Sequence, residues 1–421
     1  MGEGFAVKPE HVAGYGVLVL DVRDQVDTIK EHIAEHGSAQ NGYEGAVMEL
    51  IKPAVDDYAE AASNRYSSYC HLLESCSQEL TRAAWDYSGA EENEYKRFKD
   101  DGSSNPGRPQ QLDGYEDFED AESYPAETDP STDLKAPKIK DPDIKSKVEE
   151  VGGILYGIDW VLRQVFDFSP VEAITDPIAG NWNALKASGE VLGESGDATE
   201  ESLANLTGDS LKKLDEHWDG GAAQEFDIYI ADLAAGVSSE GPLNRIIGSA
   251  YETFSDQIEK VAEFIVTKLK EKVDQIASKV ATGWIPGVGW ARVIEFIWEC
   301  WDTFAAAKEM VENLLELAEA LKELIEAAID PFKKGQIEGV EQLGEAAKDI
   351  AVAADKFIEK YAEVTGAEKS GEQSAEDREK ILKDLEEAHE FSKDFDDMHD
   401  SDFVRLPEDE YSVGEDAERD G

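Results

Sequence analysis

The chain has few basic residues for its length, and this scarcity excludes a large class of functions. Against 94 Asp and Glu stand 40 Lys and Arg in 421 residues, so the formal net charge at pH 7 is -54. Nucleic-acid binding needs clustered Lys and Arg that neutralise phosphates, and anionic lipid attracts the same residues. We therefore expect no nucleic-acid partner and no membrane insertion. The acidity either keeps the chain soluble and self-repelling or reflects a salty habitat.

Cysteine is also scarce, and it is not arranged for chemistry. Cys70, Cys76 and Cys300 make an odd number without a Cys-x-x-Cys pair, so neither a disulfide framework nor a structural zinc site is expected. The histidines do not lie in a recognisable catalytic signature, and paired carboxylates are uninformative in so acidic a chain. We expect no enzyme, no metal site and no cofactor.

The sequence shows no clear pattern of a leader peptide, a membrane span or a β-strand. The N-terminus lacks a basic region followed by an apolar run and a cleavage site. The longest apolar stretch, 280–304, is interrupted by charged residues and falls short of a membrane span. Strict alternation of apolar and polar residues, the period of strands, is missing over any convincing length. The sequence therefore predicts an all-α protein without a transmembrane helix.

Apolar residues recur every three or four positions along most of the chain, which is typical of helices with one buried face. One stripe predicts a helix over 8–36 that ends at Gly37, and a second from Met48 to Ala84 predicts an antiparallel helix. Pro53 lies inside the second stripe, so we expect either a kink there or a helix that restarts at that residue. Together these segments predict a hairpin.

The longest stripe lies in the later part of the chain. Apolar residues follow a near-heptad seam over 243–280, which predicts one long helix that begins near 241–242. The glycines and the proline of 283–289 interrupt this helix. A returning helix is expected up to Pro331, where a further helix begins. The fold class predicted is thus all-α, with long antiparallel hairpins and a bundle with near-heptad packing.

Composition divides the chain into four segments. Residues 1–99 form the N-terminal helical hairpin, and residues 145–365 carry the larger helical bundle. Residues 100–144 are rich in Asp, Glu, Pro, Gly and Ser, with few aliphatic side chains to offset the entropy of ordering, so a disordered acidic linker is expected. Residues 366–421 hold one short helix and an acidic tail.

The segment 217–226, His-Trp-Asp-Gly-Gly-Ala-Ala-Gln-Glu-Phe, places a tryptophan two residues before a glycine, between two stretches of helical periodicity. Gly220 tolerates the positive φ that a reversal needs, and Trp218 can bury a large ring between the two helix ends. The alternative is an ordinary helix end capped by glycine. The candidate hairpin-turn residues are Trp218, Gly220, Ala222, Ala223 and Phe226.

At these residues the chain resembles the Trp-x-Gly (WXG) family of hundred-residue helical hairpins, the partners and substrates of type VII secretion. Trp160, Trp182 and the segment 284–293 extend the resemblance, to larger actinobacterial members, over about 150–330. It implies a secreted or cell-envelope protein that is cytoplasmic before export and needs no signal peptide. It also implies two partners. One is a secretion ATPase, and the other is either a small helical protein of the WXG type or a second copy of this chain.

Substrates of this family typically carry a Tyr-x-x-x-Asp/Glu export motif just after a helical hairpin. Tyr87 and Glu91 stand at that place behind the first hairpin, whereas the same pattern at Tyr115 and at Tyr411 does not follow a hairpin. About one helical turn separates the ring from the carboxylate, so a secretion ATPase can read both together. The alternative for Tyr87 and Glu91 is an ordinary surface helix end.

The resemblance implies a non-enzymatic type VII secretion substrate or associated helical effector that acts through protein–protein interaction. Two other functions remain open. In the first, the chain is a membrane-interacting helical protein, because tryptophan favours the membrane interface. The residues concerned are Trp284, Trp290, Trp298 and Trp301, although such residues more often form a buried aromatic core. In the other, the chain is a cytoplasmic coiled-coil scaffold of a salt-adapted organism, and the Trp-Asp-Gly turn is coincidental.

Overall fold

The computed structural model describes residues 7–39, 41–88, 118, 120–140, 142, 169–281, 290–333 and 340–365. Within these ranges the protein is helical and contains no strand, which confirms the all-α fold class. The helices are α1 Pro9–His32, extended by the π-helical turn Ile33–Gly37, α2 Ala46–Ser88, α3 Pro170–Thr175, α4 Trp182–Thr207, α5 Asp209–Asp215, α6 Gly221–Ser238, α7 Glu240–Ala281, α8 Trp290–Lys333 and α9 Val340–Thr365.

Helices α1 and α2 form an antiparallel hairpin. The hydroxyl of Ser77 donates to the carbonyl of Gly16 over 2.7 Å, and farther along α1 the guanidinium of Arg23 lies 3.6 Å from the carboxylate of Glu74. Pro53 does not restart α2, which is continuous from Ala46 to Ser88. The hydrogen bond that proline removes is offset because α2 is buried on more than one side, against α1 and against α8.

Helix α4 pairs with the α6–α7 arm as a second antiparallel hairpin. The hydroxyl of Ser255 donates to the carbonyl of Trp182 over 2.9 Å, and nearer the tip a Cβ added to Gly189 would lie 2.6 Å from the carbonyl oxygen of Gly248. A Cβ added to Gly196 would likewise lie 2.7 Å from the carbonyl oxygen of Gly241. These three pairs are all centred between Trp218 and Asp219, where the chain reverses.

Backbone contacts join the two hairpins at the tip of the first. The amide of Asn181 donates to the carbonyl of Gly42 over 2.7 Å, and the amide of Val47 donates to the carbonyl of Pro177 over 3.0 Å. Gly180, at φ 119°, approaches so closely that a Cβ there would lie 2.4 Å from the carbonyl oxygen of Glu44. Only glycine combines that φ with that approach at no steric cost. The loops before α2 and α4 are therefore interlocked.

The near-heptad seam of α7 is covered by other helices of the same chain. Its residues Ile247, Phe254, Ile258, Val261 and Ile265 are each exposed by no more than 1%. Helix α7 packs against α4 and α8, while α8 also packs against α2 and α9. Both hairpins and helices α8 and α9 contribute to a continuous apolar core. Helix α8 continues to Lys333 and thus passes the boundary expected at Pro331.

Residues 120–128, here called the strap, are ordered along α1 and α4, although composition predicts disorder over 100–144. The amide of Glu122 donates to the carbonyl of Glu10 over 2.7 Å, and the side chain of Asn205 accepts from the amide of Glu127 over 2.8 Å. The ring of Tyr124 is exposed by 5%. This order comes from contacts with distant residues, which composition does not record. Residues 100–117 lie outside the described ranges.

Several other expectations fall outside the described ranges. They are the interruption at 283–289, Trp160, Trp284, and the short helix and tail in 366–421. The side chains of Trp290 and Trp298 are also outside them, whereas Trp301 is half-buried. Across the described part of the chain, none of the helices combines the length and the apolarity needed to cross a membrane.

The glycine contact between α4 and α7 yields a matched pair of stability predictions. Gly189→Ala should lower the free energy of unfolding by about 1–3 kcal/mol, because its Cβ collides with the backbone of α7 at Gly248. Gly193→Ala, on the same helix, meets nothing within 4 Å and should raise it by about 0.5–1 kcal/mol. Urea unfolding followed by circular dichroism measures both, and equal effects would contradict the close approach.

Candidate functional site at the Trp218 turn

The reversal between α5 and α6 is built by one capped helix end and one glycine. The amide of Trp218 donates to the carbonyl of Leu214 over 2.9 Å, which closes the end of α5. Gly220 then takes φ 120° and caps the start of α6. Because L side chains rarely adopt that φ, the glycine is required at this point.

The ring of Trp218 is buried in an aromatic cluster and exposed by 2%. Its centroid lies 5.4 Å from that of Phe226, which is itself fully buried one turn into α6. Ala223 is buried and Ala222 is half-buried on the same helix. The structure therefore places all five predicted turn residues at this reversal.

Tyr87, at the end of α2, reaches the same cluster. Its ring centroid lies 6.2 Å from that of Trp218, in an edge-to-face arrangement of the kind that aromatic pairs prefer. The side chain is half-buried, and burial raises the pKa of the Tyr87 hydroxyl while the neighbouring Trp218 side chain opposes that rise. Glu91, the second residue of the candidate export motif, lies outside the described residues. The structure thus brings Tyr87 to the predicted turn, some 130 residues away in sequence.

The start of the described chain is also fixed to the turn. Val7 forms an isolated antiparallel bridge with Trp218, and the amide of Lys8 donates to the carbonyl of His217 over 2.9 Å. On α1, the hydroxyl of Tyr15 donates to the carbonyl of Leu206 near the end of α4. The first hairpin and the residues before it therefore contact the turn and the end of α4.

A histidine pair lies beside the cluster, and sequence reasoning did not find it. The ring centroids of His11 and His217 are 3.7 Å apart, and Nδ1 of His11 is 2.9 Å from the hydroxyl of Tyr124 on the strap. The ammonium of Lys213 lies 4.0 Å from the centre of the Tyr124 ring and donates to the carbonyl of Ser123 over 2.7 Å. Histidine spacing in the sequence gives no signal of this, because His11 and His217 meet only after both hairpins have folded.

Electrostatics at this end disfavour a charged His11. Burial lowers the pKa of His11 most, His217, Lys8 and Lys213 lower it further, and Glu122 opposes them. The neighbouring carboxyl pair behaves in the opposite way, because burial and the adjacent Asp215 raise the pKa of Asp227 to about 6. Burial therefore disfavours the protonated form of His11 and the ionised form of Asp227, so acidification affects the stability of the folded state through these two groups in opposite directions.

A second polar cluster, deep between the hairpins, joins α2 to α7. Arg65 and Glu240 form a two-point ion pair with N···O distances of 2.5 and 2.8 Å, and the hydroxyl of Tyr69 donates to Glu240 over 2.9 Å. The hydroxyl of Tyr58 donates to Asn244 over 2.7 Å. The tyrosines on the apolar stripe of α2 were a usable signal, since a buried hydroxyl normally needs a partner.

The Trp218 end contains a packed aromatic cluster and several titratable groups. Among the residues that the structure describes, no group of three or more His, Cys, Asp or Glu side chains is placed to hold a metal ion. The convergent rings come from α2, α6 and the turn itself, and the strap brings Tyr124 beside them. Aromatic side chains that pack together from separate elements hold those elements in one arrangement.

Comparison with known proteins adds no relative to this description: no family model, no curated protein and no solved structure matches the chain.

The buried ion pair between the hairpins leads to a second stability prediction. Glu240→Gln should lower the free energy of unfolding by about 3–5 kcal/mol, because it leaves the Arg65 charge buried without its counter-charge. The exposed pair Lys308 and Glu312, 3.1 Å apart on α8, provides the control. Lys308→Ala should cost less than about 1 kcal/mol. Similar urea midpoints for the two variants would show that the buried pair does not join the hairpins.

Proposed function

We propose that this chain is a non-enzymatic type VII secretion substrate or associated helical effector that acts through protein–protein interaction. One observation carries the proposal: the rings of Tyr87, from the candidate export motif, and of Trp218, from the candidate turn motif, lie 6.2 Å apart at one end of the bundle. An export motif and a hairpin-turn motif that are recognised together would need this proximity.

The shape of the second hairpin supports the same proposal. Its arms are paired in a register centred on the Trp-Asp-Gly turn, with Trp182 and Ser255 in contact far from the tip. A glycine that merely ended a helix would not need matched arms on both sides. The pairing therefore favours the hairpin interpretation of residues 217–226 over the simple helix cap.

The partner that we propose for the Tyr87 end is a secretion ATPase. Tyr87 is half-buried, and its ring packs edge-to-face against Trp218. A small helical partner of the WXG type, or a second copy of the chain, would use another face, because the apolar seam of α7 is already covered over Ile247–Ile265. Export by this route would place the protein outside the cell or in its envelope.

Replacement of Tyr87 tests the proposal. In a host with the cognate secretion system, Tyr87→Ala should reduce the fraction of protein in the culture medium on the order of tenfold, since an aromatic contact of about 1.4 kcal/mol corresponds to that factor in binding. The other Tyr-x-x-x-Glu copies supply matched controls. Tyr115→Ala and Tyr411→Ala should be exported like the unaltered chain.

Folding and recognition are separated by a second measurement on the same variants. Circular dichroism should show that Tyr87→Ala retains its helical content, since the ring is only half-buried. Unchanged export of a folded Tyr87→Ala variant would reject the motif. Absence of export for every variant, including the unaltered chain, would instead favour the cytoplasmic scaffold.

A further inference from the structure

We propose that the paired rings of His11 and His217 form an acid-sensitive latch, which holds the strap and residues 7–8 on the Trp218 turn and releases them on acidification. This inference goes beyond the proposed function and does not depend on it, because it concerns how one end of the bundle opens rather than what recognises it.

The latch lies where three separate segments meet. The chain before α1 is held through the amide of Lys8, which donates to the carbonyl of His217 over 2.9 Å. The strap contacts the pair through the hydroxyl of Tyr124, 2.9 Å from Nδ1 of His11, in addition to its bonds with Glu10 and Asn205. The turn contributes the ring of His217 itself, 3.7 Å from that of His11 between centroids. A change in charge at this pair therefore acts on all three segments at once.

The surrounding charges make a protonated pair unfavourable. Lys8 from the preceding segment and Lys213 from α5 face His11 with positive charge, and Glu122 on the strap is the carboxylate that opposes them. Asp215 and Glu216 face the hydroxyl of Tyr124, the partner of His11, with negative charge. The adjoining His217 ring, 3.7 Å away between centroids, further disfavours a positive charge on His11, which is exposed by only 8%.

The direction of the pH effect follows from the closed state. Burial and the neighbouring cations lower the pKa of His11 below its ordinary value of 6.5. The closed end thus binds a proton more weakly than the open end, so closure is complete above pH 6.5 and is lost as the pH falls through and below that value. Asp227 contributes the opposite trend to global stability, because its raised pKa of about 6 favours the folded state at lower pH. The measurement must therefore be local.

Hydrogen exchange read by mass spectrometry on the full chain supplies a local measurement. Between about pH 7.5 and about pH 5, after correction for intrinsic exchange rates, protection of residues 7–12 and of the strap should fall on the order of tenfold per unit of pKa difference between open and closed states. Amides in the middle of α2 and α4 should keep their protection, because Arg65, Glu240 and the glycine contacts hold them independently.

Phenylalanine variants distinguish the contribution of the two histidines to the pH dependence from that of the many carboxylates. His11→Phe and His217→Phe each keep an aromatic ring but remove a proton site, so strap protection in either variant should no longer depend on pH over this range. If His11→Phe does not fold, His217→Phe carries the test, because its ring is half-buried and more tolerant of change.

A second histidine pair gives a matched control. His32 and His36, at the other end of α1, have ring centroids 5.2 Å apart, and burial lowers the pKa of His32 as well. His32→Phe should retain the full acid-dependent loss of strap protection. The latch is refuted by a strap whose protection is the same at both pH values, or by an acid-dependent loss that persists in both the His11 and the His217 variants.

Discussion

The close approach of α4 and α7 is the contact on which the rest of the structure depends. Gly189 faces Gly248 and Gly196 faces Gly241, so neither helix presents a side chain that would hold the backbones apart. Helices that pack this closely have little freedom to slide, since any shift brings a Cβ against a carbonyl oxygen. The register places the reversal at Trp218 and thereby fixes which residues surround its ring.

The first hairpin packs against the second at several places. It is joined to the second hairpin at the Trp218 turn, at the interlocked loops around Gly42 and Gly180, and in the middle through Arg65 and Glu240. A buried ion pair contributes little net stability, yet it penalises every arrangement that separates its partners. The two hairpins are therefore consecutive in sequence and packed against each other in the structure.

Groups with functional potential are concentrated at one end of the bundle. The rings of Tyr87, Trp218 and Phe226 meet there, and the pair of His11 and His217 adjoins them. Burial has opposite consequences for the two kinds of group, because it strengthens contact between the rings and disfavours charge on the imidazoles. Recognition of this end and its response to acid are thus separate properties of neighbouring residues.

Local periodicity and turn chemistry predicted the hairpin of α1 and α2, the long helix α7 and the reversal at Trp218, because each depends on residues a few positions apart. The helix α7 followed from spacing, and Gly37 ends the π-helical turn that extends α1. Continuity of α2 through Pro53 did not, since a local penalty was outweighed by burial on surrounding helices. Order in the strap, the Arg65–Glu240 pair and the meeting of His11 with His217 were decided only by the tertiary structure, because each joins residues that lie far apart in sequence and become neighbours when the hairpins pack together.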